Sequence, residues 1–309
     1  MERVLVTGAN GFVGNHLVKE LADNGYEVIG VGGAQGSNEP NANISEYITL
    51  DLNNLDETKK IDFTKVTSVI HLAGLAAVGA SFDNPMLYIN TNIGIETNLF
   101  ESAIAQKAFP RFLIISSATL YDPRAPLPLN ESSAVVPNSP YSVSKLGQEQ
   151  MGQYYARRGF EVIVARPFNH IGPGQNTGFL LPDLTQQIVT FERGQTTEVK
   201  VGNLDALRDY TDVRDIVRAY RLLLESGKSG ETYNICSGKP LSGHEVLEQI
   251  LQVAGIKPRI VQDPAKMRPS DTPVIYGSHD KLTADTGWQP LIDTSSSIRD
   301  IVADWHSRP

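Results

Sequence analysis

The sequence predicts an α/β fold, a doubly wound parallel sheet with a smaller C-terminal region. Three observations predict it. Short apolar runs recur without polar alternation, as in strands buried on both faces. Segments with helical periodicity separate those runs. A glycine-rich turn also joins the first run to the first helical segment, where doubly wound sheets place their ligand-binding turn.

The strand-like runs are Val4 to Thr7, Glu27 to Val31, Tyr47 to Leu50, Ser68 to Leu72, Phe112 to Ser116 and Glu161 to Arg166. The first helix spans Gly11 to Asn24, with Val13, Leu17 and Leu21 stacked on one face, and another covers Asn90 to Ala105. After Arg166 the pattern loosens into a stretch rich in Gly, Pro and Asn, followed by a helix from Leu181 to Glu192. The expected division is therefore 1–168 for the sheet domain and 169–309 for the smaller region, with about 208–237 returning to the first. Within that later part we expect a helix near Asp212 to Glu225 and a strand at Thr232 to Ile235. A capping box, Ser242-Gly-His-Glu245, opens a further helix, and the last runs from about Ser296 to Trp305. Two loops, Gly32 to Glu46 and Asp122 to Pro140, exceed the usual connection length and are expected to serve function.

Composition excludes several classes. A net charge of -8, from 27 Lys and Arg against 35 Asp and Glu, gives no general affinity for nucleic acid or anionic membrane. No run of 18 apolar residues occurs, and Met1 leads directly into a strand, so neither export nor membrane insertion is expected. The single cysteine, Cys236, cannot form an intrachain disulfide, fits a reducing cytoplasm, and reads as core. The six histidines lack metal-ligand spacing, so no metal is expected. Neither Gly-x-Ser-x-Gly nor a phosphate loop ending Gly-Lys-Ser/Thr is present, which sets aside the corresponding hydrolases.

Gly8-Ala-Asn-Gly11-Phe12-Val13-Gly14 reads as a dinucleotide turn, because small residues let backbone approach a pyrophosphate and helix N–H groups bind it. The end of the second strand, Gly30-Val-Gly-Gly33, carries neither an acid for a ribose 2′-hydroxyl nor an arginine for a 2′-phosphate, so NADPH and NADH both stay open. Asp51 with Leu52, and Leu72-Ala73-Gly74, end strands where such sheets hold ligands, although Asp51 could equally cap a helix. Ser117 follows the fifth strand and could reach a reacting carbonyl or simply cap a turn. In Ser139-Pro-Tyr-Ser-Val-Ser-Lys145, helical spacing puts Tyr141 and Lys145 on one face. A solvated helix face could look the same, but a fixed ammonium beside a phenol would pull its pKa toward neutrality and make it a proton carrier.

In that order, the Gly8–Gly14 turn, Ser117 and Tyr141-x-x-x-Lys145 resemble the extended short-chain dehydrogenase/reductases. This family has a Rossmann-type sheet and acts on nucleotide sugars. The runs Arg166-Pro-Phe-Asn169-His-Ile-Gly-Pro-Gly-Gln175 and Val201-Gly-Asn-Leu-Asp-Ala-Leu-Arg208-Asp-Tyr-Thr-Asp212, with Arg268-Pro-Ser-Asp271, resemble its GDP-4-keto-6-deoxymannose reductases. The resemblance spans nearly the whole chain. It implies that Tyr141 protonates the C4 oxygen of the sugar, that Lys145 holds the nicotinamide ribose and tunes Tyr141, and that Ser117 bonds the same oxygen. Asn92 joins the cofactor residues by the same resemblance. Substrate contacts are expected from Thr119, Asn169, Val201, Arg208, Arg268 and Asp271, the arginines offering bidentate pairing to phosphate. Arg208 could instead pair Asp209 or Asp212, and His170 reads as structural. A homodimer is the family habit.

Departures from the resemblance sharpen these expectations. Thr119 stands where 4,6-dehydratases carry the acid that removes the C5 proton, so dehydration is not expected, while Ala118-Thr119 resembles the 4-epimerases. Ile95-Glu96 replaces the usual Gly-Thr, and Asp122 replaces a usual Gly. Reduction of a nucleotide-linked 4-keto-6-deoxyhexose is the first expectation, 4-epimerisation the second, and a non-catalytic dinucleotide sensor the third.

Overall fold

The computed structural model describes residues 2–33, 41–266 and 272–308. In chain order the first part contains β1 (Arg3–Thr7), α1 (Phe12–Asp23), β2 (Glu27–Gly32), β3 (Glu46–Thr49), α2 (Leu55–Thr58), β4 (Ser68–His71), α3 (Val78–Asp83), α4 (Pro85–Ala105), β5 (Arg111–Ile115), α5 (Pro140–Ala156) and β6 (Val162–Pro167). Next come β7 (Asn169–Ile171), α6 (Leu180–Glu192), β8 (Glu198–Val201), β9 (Leu207–Asp212), α7 (Val213–Ser226), β10 (Thr232–Ile235), β11 (Pro240–Ser242) and α8 (Gly243–Ala254). The chain ends with β12 (Arg259–Gln262), β13 (Val274–Ile275), α9 (Asp280–Thr286) and α10 (Thr294–Ser307).

Seven parallel strands form the main sheet in the order β10-β6-β5-β4-β1-β2-β3. The order reverses between β1 and β4, and the crevice outside their carboxyl ends is where sheets of this kind bind ligands. Period-two geometry sends Val4 and Val6 to one face and Leu5 to the other. The first face is packed by α1 and α7 through Leu17, Leu21, Tyr220 and Leu223, the second by α4 and α5 through Leu99, Phe100 and Tyr155. Each such fully buried side chain contributes roughly 1.5–3 kcal/mol against exposure, so both faces are strongly held.

All six strands expected in the first half are found, with ends shifted by a residue or so. The four-residue steps expected for α1 bury Leu17 and Leu21, and α4 begins earlier than its apolar pattern, at Pro85, which fits the first turn of a helix. After β6 the chain leaves the main sheet, and with α7 and β10 it returns to it. Helix α7 lies against α1, where Arg221 Nε donates to Glu20 at 2.8 Å, and β10 pairs β6. The smaller region holds a four-stranded sheet around β9, a β8–β12 pair, and helices α6, α8 and α10. Its core gathers Leu184, Ile188, Val199, Val246, Ile250 and Ile298. The Ser242–Glu245 capping box is present in both directions, and Cys236 is fully buried. Strands β7, β8, β11, β12 and β13 escaped the sequence reading because two- to four-residue segments carry no periodicity, and α9, at seven residues, is under two turns long.

Candidate active site

Helix α5 begins with its own lock. Ser139 caps it by accepting from Ser142 N, the Ser142 side chain answers the Ser139 backbone, and Pro140 fills the first turn. This fixes Tyr141 and Lys145 along the crevice side of the helix, both buried, rather than on a solvated face. Ser117 caps the short turn after β5, its Oγ accepting from Thr119 N at 3.2 Å and from Thr119 Oγ1 at 3.0 Å. Ser117 also lies near enough to Tyr141 to stabilise its ionised form. Serine, threonine and tyrosine hydroxyls therefore converge at the carboxyl end of β5.

The expected fall in the Tyr141 pKa is not found. Burial pushes the phenol up to about 12, while the Ser117 hydroxyl pulls the other way. The reason is where the lysine charge sits: Lys145 Nζ donates to the Ile115 carbonyl at 2.8 Å and lies 6.0 Å from the Tyr141 ring centroid. Burial in turn lowers Lys145 to about 8, opposed by the charge of Glu149. Tyr141 is therefore a protonated donor at neutral pH, and Lys145 is still largely charged.

Beneath this pair lies a buried frame that spacing did not disclose. Glu149, one turn beyond Lys145, is held by Arg166 of β6 through two bonds of 2.8 and 2.7 Å, with side chains 4% and 8% exposed. The Arg166 guanidinium lies 5.0 Å from the centre of the Tyr121 ring, and the Tyr121 hydroxyl donates to Asn234 at 2.6 Å. The signal that could have found Glu149 is the run Tyr141, Lys145, Glu149 at successive four-residue steps. Asn92 of α4 accepts from Leu75 N at 2.8 Å and donates to the Leu75 carbonyl and to Ser144 Oγ. Its amide thus ties the loop after β4 to α5.

The glycine turn forms a cradle. Gly8 has φ +69, and a Cβ there would come within 3.0 Å of Ala73 N. At Gly14 a Cβ would drive into the Gly8 carbonyl, so only glycine lets α1 start this close to β1. Phe12 and Val13 follow, partly buried against the core. Across the crevice, Ala73 N donates to Thr7 Oγ1 at 3.0 Å and Thr7 bonds His71 Nδ1 at 2.8 Å, which fixes the Leu72–Gly74 turn. Leu52 is buried beside the end of β3, whereas Asp51 is exposed and accepts from Asn53 N and Nδ2. Asp51 does not cap a helix; Asn54 caps α2. A backbone cradle without Cβ obstruction at a helix start fits a dinucleotide pyrophosphate.

On the far side of the crevice Asn169 opens β7, exposed and paired with Tyr210 of β9. His170 stacks on Phe12 with ring centres 6.1 Å apart, a packing role as expected. Val201 ends β8 with its side chain in the core of the smaller region, because strand alternation turns it inward, so any contact with a ligand would come from its backbone. Arg208 donates to the Leu207 and Thr272 carbonyls at 2.9 and 2.7 Å. The Asp209 carboxylate serves Ser237, Gly238 and Gly277, and Asp212 serves Arg214 and Ser297. Arg268 and Asp271 lie outside the described residues. No group of His, Cys, Asp and Glu suited to a metal occurs among the described residues.

A doubly wound sheet with this cradle, and with serine, tyrosine and lysine at its carboxyl edge, defines an extended short-chain dehydrogenase/reductase. Within that class the chain belongs to the GDP-mannose 4,6 dehydratase family, whose model matches residues 5–301. It is 37% identical over 311 residues to the GDP-6-deoxy-D-mannose reductase of Pseudomonas aeruginosa, covering 99% of this chain and 98% of that one. UDP-glucose 4-epimerase 2 of Arabidopsis thaliana is 30% identical over 96% of this chain and 93% of its own. The structure of RMD from Pseudomonas aeruginosa complexed with NADPH superposes with a TM-score of 0.87 at 34% identity, with both chains fully covered.

Proposed function

We propose that the protein catalyses NAD(P)H-dependent reduction of the 4-keto group of a nucleotide-linked 4-keto-6-deoxyhexose, converting GDP-4-keto-6-deoxymannose to GDP-rhamnose. The observation that carries this reading is full-length similarity to a GDP-6-deoxy-D-mannose reductase together with a protonated Tyr141 beside Ser117. A reduction needs an acid at the carbonyl oxygen, and a phenol near pKa 12 holds its proton at neutral pH. The bound dinucleotide supplies the hydride. The chain supplies the rest. Gly8, Gly11, Phe12, Val13 and Gly14 hold the pyrophosphate; Asp51, Leu52 and Leu72 to Gly74 line the cofactor crevice; Asn92 braces it. Lys145 holds the nicotinamide ribose, while Ser117 and Tyr141 bond the C4 oxygen and Tyr141 releases its proton to it. Thr119, Asn169, the Val201 backbone, Arg208, Arg268 and Asp271 hold the nucleotide sugar.

Ala118 and Thr119 offer no carboxylate to remove a C5 proton, so the family's named dehydration is not the proposed chemistry. Residues 1–168, with about 208–237, form the cofactor domain and the remainder the substrate region. Exposed Met86, Leu87, Val143 and Tyr154 on α4 and α5 give these helices an apolar outer face, across which we propose a homodimer. We assign the enzyme to the cytoplasm, where nucleotide sugars are made.

The test is incubation with GDP-4-keto-6-deoxymannose and reduced cofactor while its absorbance is followed. Stoichiometric consumption supports reduction; no consumption, with interconversion of 4-hydroxy sugars, sinks it in favour of a 4-epimerase, the activity named for several relatives near 30% identity. Tyr141→Phe should lower kcat by roughly 10²–10⁴ while leaving nucleotide-sugar binding intact. Unchanged turnover in that variant would remove Tyr141 from the chemistry.

A further inference from the structure

Helices α4 and α5 share a ladder of polar rungs. Asn92 and Glu96 stand one turn apart on α4, as Ser144 and Gln148 do on α5. The first rung is a hydrogen bond, Asn92 Nδ2 to Ser144 Oγ at 2.9 Å. The second brings Glu96, 0% exposed, beside Gln148, 1% exposed. Among the described residues neither carboxyl oxygen of Glu96 has a partner within hydrogen-bond distance, and Gln148 Oε1 has none.

The rung therefore holds three buried oxygens without a hydrogen-bond partner among the described residues, with the Gln148 amide N–H as the side-chain donor beside Glu96. An ionised carboxylate in this position would be desolvated and uncompensated, which buried charges do not tolerate. One proton on Glu96 resolves it by making an O–H donor for Gln148 Oε1. Turning the Gln148 amide end for end would offer N–H to one carboxyl oxygen and leave the other, and the charge, unmet. The nearby cations are engaged: Lys145 donates to the Ile115 carbonyl, and Arg166 of β6 is bound by both Glu149 oxygens. Burial and the neighbouring Glu149 both raise the Glu96 pKa well above the carboxylate range, against the opposing pull of Lys145 and Gln148.

We propose that Glu96 is a positioning residue for the Tyr141–Lys145 site: a buried carboxylic acid that keeps its proton at neutral pH, bonds Gln148, and thereby leaves the Lys145 ammonium on the Ile115 carbonyl at the crevice. Ionised, it would draw Lys145 toward α4 and away from that carbonyl. The position is one of those where the chain departs from the family resemblance, Glu replacing the usual Thr. The proposal rests on Lys145 belonging to the catalytic pair, yet protonation of Glu96 can be read without turnover.

The sign of the linkage follows from a raised pKa. The folded chain keeps a proton that the unfolded chain releases above about pH 4.3, so folding weakens as pH rises, by up to tenfold in the equilibrium constant per unit. Urea unfolding between pH 5 and 8 should show this one-proton slope in wild type relative to Glu96→Gln. Infrared difference spectra at pH 7 should show the carbonyl stretch of a protonated carboxylic acid that is lost in Glu96→Gln and shifted in Gln148→Leu. Glu96→Ala should lower kcat about tenfold, Glu96→Gln should rescue it, and the lysine limb of the kcat–pH profile should not move in Glu96→Gln. Identical stability slopes, or a limb displaced by a unit or more in Glu96→Gln, overturn the proposal. If Glu96→Gln does not fold, absence of any acid band responsive to Gln148→Leu overturns it equally.

Discussion

Replacing Arg166 by methionine removes a guanidinium whose two bonds to Glu149, 2.8 and 2.7 Å, are closed from solvent. The substitution keeps most of the side-chain length and deletes the charge, so Glu149 is left buried and unpaired. Two charge-assisted hydrogen bonds at roughly 1.5–3 kcal/mol each give about 3–6 kcal/mol. Breaking one partner of a buried pair independently gives about 3–5 kcal/mol. Against a whole-domain stability of about 5–15 kcal/mol, Arg166→Met should remove about a fifth or more of the total. Urea unfolding followed by tryptophan fluorescence reads it, since Trp288 is fully buried. The double variant Arg166→Met/Glu149→Leu should recover most of the loss, because it removes the stranded charge as well. A single-variant loss under about 1 kcal/mol, or a double variant no better than the single, would refute the reasoning.

Two further outcomes follow from the same geometry. Burial lowers His71 from 6.5 to about 3, so as pH falls below 6.5 the unfolded chain takes a proton that the folded chain refuses. Stability should therefore decline between pH 6.5 and about 3, by up to about 1.4 kcal/mol per unit, and His71→Asn should flatten that slope in urea titrations; parallel slopes would exclude the assignment. Gly14→Val should abolish cofactor binding and lower stability by more than about 1 kcal/mol, as its side chain meets the Gly8 carbonyl. Calorimetry with NADPH and thermal melts check the two effects separately, and tight binding by the variant would mean that the cradle can shift.

The main sheet was legible because its strands, apart from the edge strand β3, are buried on both faces and so read as continuous apolar runs, and α1 because Leu17 and Leu21 repeat at the helical period. The cradle and the Ser117, Tyr141 and Lys145 set were legible because backbone closeness demands glycine and helical spacing fixes a shared face. The short strands around β9 were not, being too brief to show a period. For Val201, expected as a contact residue, the sequence did not disclose that the alternation of β8 turns its side chain into the core and leaves only its backbone for such a contact.

By itself, then, the sequence determined the doubly wound sheet, the glycine turn and the presence of Ser117, Tyr141 and Lys145 at its carboxyl edge, since each depends on local spacing and on which side chains are present. Only the tertiary structure decided their ionisation. The Tyr141 pKa is raised rather than lowered, Lys145 is held by the Ile115 carbonyl, and Glu149 of α5 is paired with Arg166 of β6. The physical reason is that a pKa depends on desolvation and on partners brought from distant parts of the chain.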